Sequence, residues 1–275
     1  MQNTQDEKNR QSEYIRKNTD PVFLEEVEKI QKEYKGKIKV LIAEPSIGMV
    51  DYQAHDAAWD LAFNLARYEN ESDYKFFKTT IGRLMVGYAR EKFAEYACEV
   101  GFDYIFFIDD DHYWEADMFR KLQKYIKDYD IVAPLCVQRA EPFYPVIYTT
   151  KVIHEDENAT YYDNLKYSEE KGFKKGDLIT DADAIGFGCA IVKVNLLKKM
   201  PQPWFFGMQG VGEDIQFCIK AKAVGAKILV DTNIEAPHLQ DRKFASWRDY
   251  EKIKRDNAVL PGSESKKEST ELTDK

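Results

Sequence analysis

Three consecutive aspartates, Asp109, Asp110 and Asp111, follow the apolar run YIFFI and precede His112. Like charges side by side repel, so something has to compensate them. Water and a helix start are one answer: Glu115 opens a stretch with helical spacing, and acidic residues are favoured near a helix N-terminus as caps and by the dipole. A divalent cation is the other. Mg2+ and Mn2+ take one or two protein carboxylates and complete their shell with water and phosphate oxygens. A second acidic pair, Glu213–Asp214, stands in GVGEDIQFCI (210–219), before a helical stretch with Ile215 and Ile219 on one face. As chemistry it is a general base beside a glycine turn that lets substrate approach the backbone; as architecture it is an ordinary acidic helix start. His238 follows in IEAPHL, just past the next apolar run.

Residues so far apart need a scaffold that gathers them. The runs IKVLIA (38–43), YIFFI (104–108), DIVAPL (130–135) and AKILVD (226–231) are short and rich in β-branched or aromatic residues, which predicts buried strands. Ala54 to Ala66 and Leu84 to Val100 have helical spacing, the second with Phe93, Ala97 and Val100 on one face; after the aspartates Phe119, Leu122 and Ile126 share a stripe. Strands alternating with helices predict an α/β fold with a mostly parallel sheet covered on both faces. Ligands of such sheets sit outside the carboxyl ends of the strands, where the aspartates stand. Residues 136–183, rich in Tyr, Pro and charge, read as antiparallel hairpins and loops that shape an acceptor pocket. Phe23, Leu24, Val27 and Ile30 give residues 1–36 a weak helical pattern, and 261–275 reads as a disordered tail.

Bulk composition narrows the function classes. With 44% hydrophobic residues the 275-residue chain builds a real core, and its net charge of -8 without a basic, aromatic-interleaved stripe argues against a nucleic-acid backbone as partner. The first residues lack the apolar segment of a secretory signal, and no apolar run approaches the ~18–20 residues of a membrane span. Cys98, Cys136, Cys189 and Cys218 are widely spaced, with no CxxC pair, and read as reduced thiols of a cytoplasmic protein.

The ordered set FIDDDH, AIGFGCAIV, GVGEDIQFCIKAKAVGAKILVD and PHL resembles the glycosyltransferases of the GT-A fold, in particular glycosyltransferase family 2, and within it the small enzymes often encoded by bacteriophages. The resemblance covers roughly residues 37–240 and implies a Rossmann-like central sheet with a small antiparallel acceptor-side region, flanked by an N-terminal helical extension (1–36) and a C-terminal helix and tail (241–275). It implies an inverting, metal-dependent hexosyltransferase that uses a nucleotide-diphosphate sugar, a UDP-sugar first among them, and an acceptor hydroxyl on a glycan, a protein or a modified DNA base. Asp109 and Asp111 match the outer members of the Asp-x-Asp motif, with Asp111 on the metal (Mn2+ or Mg2+) and Asp109 on the ribose or on the metal through water; Asp110 takes the variable middle place. His238 matches the histidine that completes metal or diphosphate binding. Asp214 matches the catalytic base, with Glu213 binding acceptor or orienting the base. Arg90 matches an arginine that helps hold the nucleotide, although Glu91 replaces the usual Asn. Gly188 lies in IGFGC (185–189), a glycine-containing strand along the donor sugar. The Pro-x-Tyr-Asn-Glu type loop that holds the base is replaced here by AEPSIGMVD, which leaves Glu44, Ser46, Asp51, Thr79 and Arg83 as candidates. A phage-encoded enzyme of this kind would work in the host cytoplasm.

Two other classes fit parts of the pattern. A nucleotidyltransferase uses a similar aspartate strand end but normally carries a Gly-rich basic loop, which EPSIGMVD is not. A non-catalytic carbohydrate- or metal-binding module would not need both acidic clusters and His238. His55 beside Asp56 reads as a surface or capping residue, Tyr144 and Tyr148 as packing, and Trp204, Phe205 and Phe206 as either core or an acceptor-side loop. His112 is not expected to be a ligand, because neighbours in an extended segment point in opposite directions.

Overall fold

The computed structural model describes residues 21–259 except 47, 49, 156–159, 208–210 and 241–242. The tails read from sequence, 1–20 and 261–275, lie outside the described residues, as does Gly210 of the glycine turn. The order is α1 (Pro21–Glu33), β1 (Ile38–Ser46), α2 (Tyr52–Glu71), β2 (Tyr74–Gly82), α3 (Val86–Val100), β3 (Tyr104–Ile108), α4 (Met118–Leu122), β4 (Ile131–Leu135), β5 (Ile147–Glu155), β6 (Thr160–Lys166) and α5 (Tyr167–Glu170). Then come β7 (Leu178–Ile179), β8 (Ala184–Ile185), β9 (Cys189–Lys193), α6 (Val194–Leu197), α7 (Glu213–Ala223), β10 (Ile228–Glu235), β11 (His238–Gln240), β12 (Lys243–Ala245) and α8 (Trp247–Val259).

All four strands read from the sequence form, within a seven-stranded sheet of order β2-β1-β3-β9-β4-β10-β7. β2, β1, β3, β4 and β10 run the same way; β9 and β7 are antiparallel to their neighbours. This is the mostly parallel, two-faced sheet that the alternation predicts. Period two decides the layers. Leu41 and Ala43 of β1 and Ile105 and Phe107 of β3 face a layer built by α1, α3, α6, α7 and α8. Val40, Ile42, Phe106 and Ile108 face the other layer, under α2 and α4. Burial on both faces is why these strands are continuous apolar runs rather than alternating ones. β2 escapes that test: it is an edge strand, mostly half-buried or exposed, so YKFFKTTIG mixes polar and apolar residues. The Tyr-rich region supplies a separate antiparallel sheet of order β6-β5-β8, as read from composition.

Asp51 caps α2, its carboxylate accepting from Gln53 N at 2.9 Å. The expected helix after the aspartates is short, starts at Met118 and continues as a 3-10 turn, with Phe119, Leu122 and Ile126 all buried. The triplet therefore does not cap it: three turnless residues, Tyr113 to Glu115, and a turn at Ala116–Asp117 separate them.

Phe119 is enclosed by Phe76, Tyr74 and Phe106, with ring centroids 4.8, 5.4 and 5.6 Å away. It ties α4 to the half of the sheet that ends in the aspartates. Phe119→Ala should lower the unfolding free energy by about 3–5 kcal/mol, the usual loss for a fully buried aromatic; urea denaturation measures it, and a loss under about 1 kcal/mol would mean that the cluster closes over the gap.

Candidate active site

The carboxyl ends of β1, β3, β4 and β10 open onto a cavity of about 380 Å³ lined by Asp109, Asp110, Asp111, His112, Arg139, Gly186, Gly188, Glu213, Asp214 and His238, among others. Each arrives for a local reason. β3 ends at Ile108, and its pairing continues for one more bond, Asp109 N donating to Gly188 O at 2.9 Å. The chain then turns, with His112 N reaching Asp109 O at 3.4 Å, so strict alternation stops. That turn overrides the expectation that Asp111 and His112 diverge: His112 Nδ1 lies 2.9 Å from Asp111 Oδ1. His112 also pairs through its backbone with His238, and the two imidazoles stack at 4.2 Å. Gly188 is needed beneath them, since a Cβ there would overlap the His112 ring.

Ligand atoms of Asp111, His112 and His238 lie within 4.8 Å of one another, so this cluster can hold a cation. Its chemistry fits one. Burial first, and then His238, lower the His112 pKa to about 3; burial likewise lowers that of His238. Both rings are therefore neutral at pH 7, the state in which imidazole ligates metals. His238 turns Nδ1 to Val137 O at 3.1 Å, which places the proton there and leaves the Nε2 lone pair 3.2 Å from Asp111 Oδ2. A ligand histidine held through its other nitrogen is the usual arrangement at metal centres.

Arg90 joins this cluster to the second one. It projects from the buried face of α3 and donates to both oxygens of Asp109 at 2.8 Å, to Phe187 O at 3.2 Å and to Glu213 Oε1. Only 3% of its side chain is exposed, so Asp109 and Glu213 are its counter-charges as well as its partners. Arg90 thus lines the cavity with most of its donors already committed to protein acceptors. Asp214, the next residue, sits on the first turn of α7 and accepts from Ile215 N at 2.8 Å. Burial raises its pKa to about 6, against the lowering effect of Arg90 and with Glu213 adding to the rise. The carboxyl is thus more basic than an exposed aspartate, and it is still mainly ionised at neutral pH.

Of the other candidates, most lie away from the cavity. Glu44 is held by Lys78 and by Thr80, whose hydroxyl donates at 2.8 Å, and Thr79 pairs with Ala43 in the sheet. Ser46 lines the cavity, whereas Asp51 caps α2 and the exposed Arg83 packs beside Gly48. Trp204 and Phe205 are core residues, Phe205 stacking on Phe217 at 4.4 Å, while Phe206 is exposed. His55 is on the surface against Trp59. Sequence reasoning missed Arg139, which donates to Asp111. The signal was present, because Arg139 follows the carboxyl end of β4 as the aspartates follow β3.

Residues 47–196, over half of the 275-residue chain, match the family described as Glycosyl transferase family 2. The chain belongs to glycosyl transferase family 2. It is a glycosyltransferase with the GT-A arrangement of its sheet, which sets aside both alternative classes. The matched segment holds Arg90, the aspartates and Gly188; Glu213, Asp214 and His238 lie beyond it. Among solved structures the chain is similar to A197 from STIV, 19% identical with a TM-score of 0.48, covering 76% of this chain and 93% of that one. It is also similar to GalNAc-T7, crystallised with UDP, GalNAc and Mn2+, at 14% identity and TM-score 0.39, covering 77% of this chain and 38% of that one. A third is S. aureus TarS 1-349, at 16% identity and TM-score 0.35, covering 81% and 64%. No curated protein matches the sequence. Among the described residues no helix is long and apolar enough to cross a membrane.

Removing the Arg90 charge leaves two carboxylates facing each other. Arg90→Met should cost about 3 kcal/mol, the low end for breaking a buried ion pair because both acids keep some exposure. Chemical denaturation reads it; a midpoint equal to the parent's would mean that water satisfies Asp109 and Glu213.

Proposed function

We propose that this family 2 enzyme moves a sugar from a nucleotide-diphosphate donor to an acceptor hydroxyl with inversion, Asp214 acting as general base. The observation that carries this is one cavity with Asp214 on one wall and the Asp111–His238 pair on another, spaced by Arg90. The acceptor hydroxyl gives its proton to Asp214 as its oxygen bonds to the anomeric carbon, and the bond from that carbon to the diphosphate breaks on the opposite face. A single displacement inverts the centre. Glu213, fixed by Arg90, orients the helix turn that carries the base.

Asp111 and His238 would hold a divalent cation, Mn2+ or Mg2+, with His112 donating from Nδ1 to Asp111 so that its second oxygen faces the ion. When bound, such an ion offsets the negative charge that develops on the leaving diphosphate. Asp109 acts through Arg90 and, at its exposed edge, toward the ribose; Asp110, Gly186 and Gly188 line the donor side. A UDP-sugar is the first donor to try, in keeping with the UDP and Mn2+ crystallised with GalNAc-T7. The transferase body is assigned to residues 37–240. The free cysteines, three of them buried, suit a reducing compartment such as a cytoplasm, the host's if a phage encodes the chain.

Asp214→Asn should bind donor as the parent does and transfer sugar at least a thousandfold more slowly; turnover within tenfold of the parent would remove Asp214 as the base. The pH profile carries the sign of its shift. The ionised carboxylate is the active form, and a pKa raised to about 6 means that it is lost as pH falls through 6 rather than through 4. Transfer should therefore drop about tenfold per unit below pH 6, and a profile flat down to pH 5 would contradict the assignment. In a thermal-shift panel of UDP, GDP, CDP and dTDP, one diphosphate should stabilise the protein only with Mn2+ present; stabilisation indifferent to metal would remove the cation from the reading.

A further inference from the structure

Arg139 lies in the loop that leaves β4, with 59% of its side chain exposed at the cavity. Its guanidinium donates to Asp111 Oδ2, and its Nε lies 3.4 Å from His238 Nε2. Those two acceptors are 3.2 Å apart. With the His238 proton on Nδ1 toward Val137 O, a carboxylate oxygen and an imidazole lone pair confront each other, an arrangement that is repulsive unless positive charge lies against both. Arg139 supplies that charge. A divalent ion would bond to the same lone pairs at roughly 2.0–2.2 Å, and a guanidinium hydrogen-bonded to them leaves no room for it.

We infer that Arg139 and a divalent cation are mutually exclusive occupants of Asp111 Oδ2 and His238 Nε2, so that Arg139 is a positioning residue that holds the pair until cation and diphosphate arrive together. The inference rests on the reading of Asp111 and His238 as cation ligands. Two properties of Arg139 make the exchange feasible. Its exposure leaves the side chain room to swing, unlike that of Arg90. Its planar fork also matches phosphate oxygens as well as it matches a carboxylate, so a donor diphosphate offers it equivalent partners a short distance away. The exchange couples the two ligands: cation binding is weakened by the need to displace Arg139, and a diphosphate that accepts Arg139 restores it.

The test reads metal affinity without nucleotide or turnover. Full-length protein is titrated with Mn2+, and the free ion is followed by electron paramagnetic resonance, for the parent, Arg139→Met, Arg139→Lys and Asp111→Asn. Arg139→Met keeps much of the stem, loses the charge and, being at an exposed position, should leave the circular dichroism spectrum unchanged. It is expected to bind Mn2+ at least tenfold more tightly than the parent. Arg139→Lys keeps the charge and, with three donors on one nitrogen, can still reach both acceptors, so it should bind Mn2+ more weakly than Arg139→Met; binding as tight as that of Arg139→Met would overturn the exclusion. Equal or weaker binding by Arg139→Met, with Asp111→Asn still the weakest, overturns the inference while leaving the cation site intact. Absence of Mn2+ binding in parent and Arg139→Met alike overturns the cation site itself, and the inference with it.

Discussion

One buried guanidinium organises this molecule. Arg90 enters from the N-terminal half of α3, on the face whose neighbours Ala89, Phe93, Ala94 and Ala97 pack against the sheet. Taking that charge out of water is costly, and the cost is offset only because Asp109 and Glu213 arrive on either side of it. The packing of α3 fixes the guanidinium, the guanidinium fixes the two carboxylates, and each carboxylate fixes its neighbours. Asp109 sets the turn that presents Asp111 and His112. Glu213 sets the first turn of α7, and with it Asp214. The spacing between the Asp109–Asp111 end of the cavity and its Asp214 end is thus held by a rigid element of the fold rather than by loops.

The same guanidinium tunes what it positions. Asp214 feels three large influences: burial and Glu213 favour its neutral form, Arg90 its charged form. Burial prevails, and the result is a carboxyl poised one unit below neutral pH, basic enough to accept a proton yet mainly ionised. The two histidines take the opposite course, kept neutral because burial opposes a charge that nearby carboxylates would favour. Asp214 and the two histidines therefore take different protonation states from one desolvated setting.

Much of this was legible in the sequence, for particular reasons. Strands buried on both faces announce themselves as unbroken apolar runs, so β1, β3, β4 and β10 were readable, whereas edge strand β2 mixes Lys75, Lys78 and Thr80 with aromatics and was not. The aspartates were readable because position at a strand end carries meaning in a parallel sheet. The divergence expected of His112 and Asp111 fails because alternation holds only while the strand lasts, and this one ends at Ile108. Arg90 was found through resemblance, but its partners were not, since the sequence does not say that residues 109 and 213 meet around it. Arg139 follows the same strand-end rule as Asp109 and went unread because an isolated arginine in a polar loop has no local pattern to mark it.

The antiparallel β9, wedged between β3 and β4, has a consequence for how the site comes into being. Its register against both neighbours makes it the seam between two half-sheets, one of β2, β1 and β3, the other of β4, β10 and β7. Residues 38–108 can pair among themselves early, but the halves join only when residues 189–193 have been made. His238 reaches Asp111 only after β10 has added to β4. Contacts of such long sequence separation form late and slowly. During synthesis Arg90 and Arg139 can therefore offset Asp109 and Asp111 well before residues 213, 214 and 238 have been made, and the two acidic clusters are brought to one cavity only once the second half-sheet is in place.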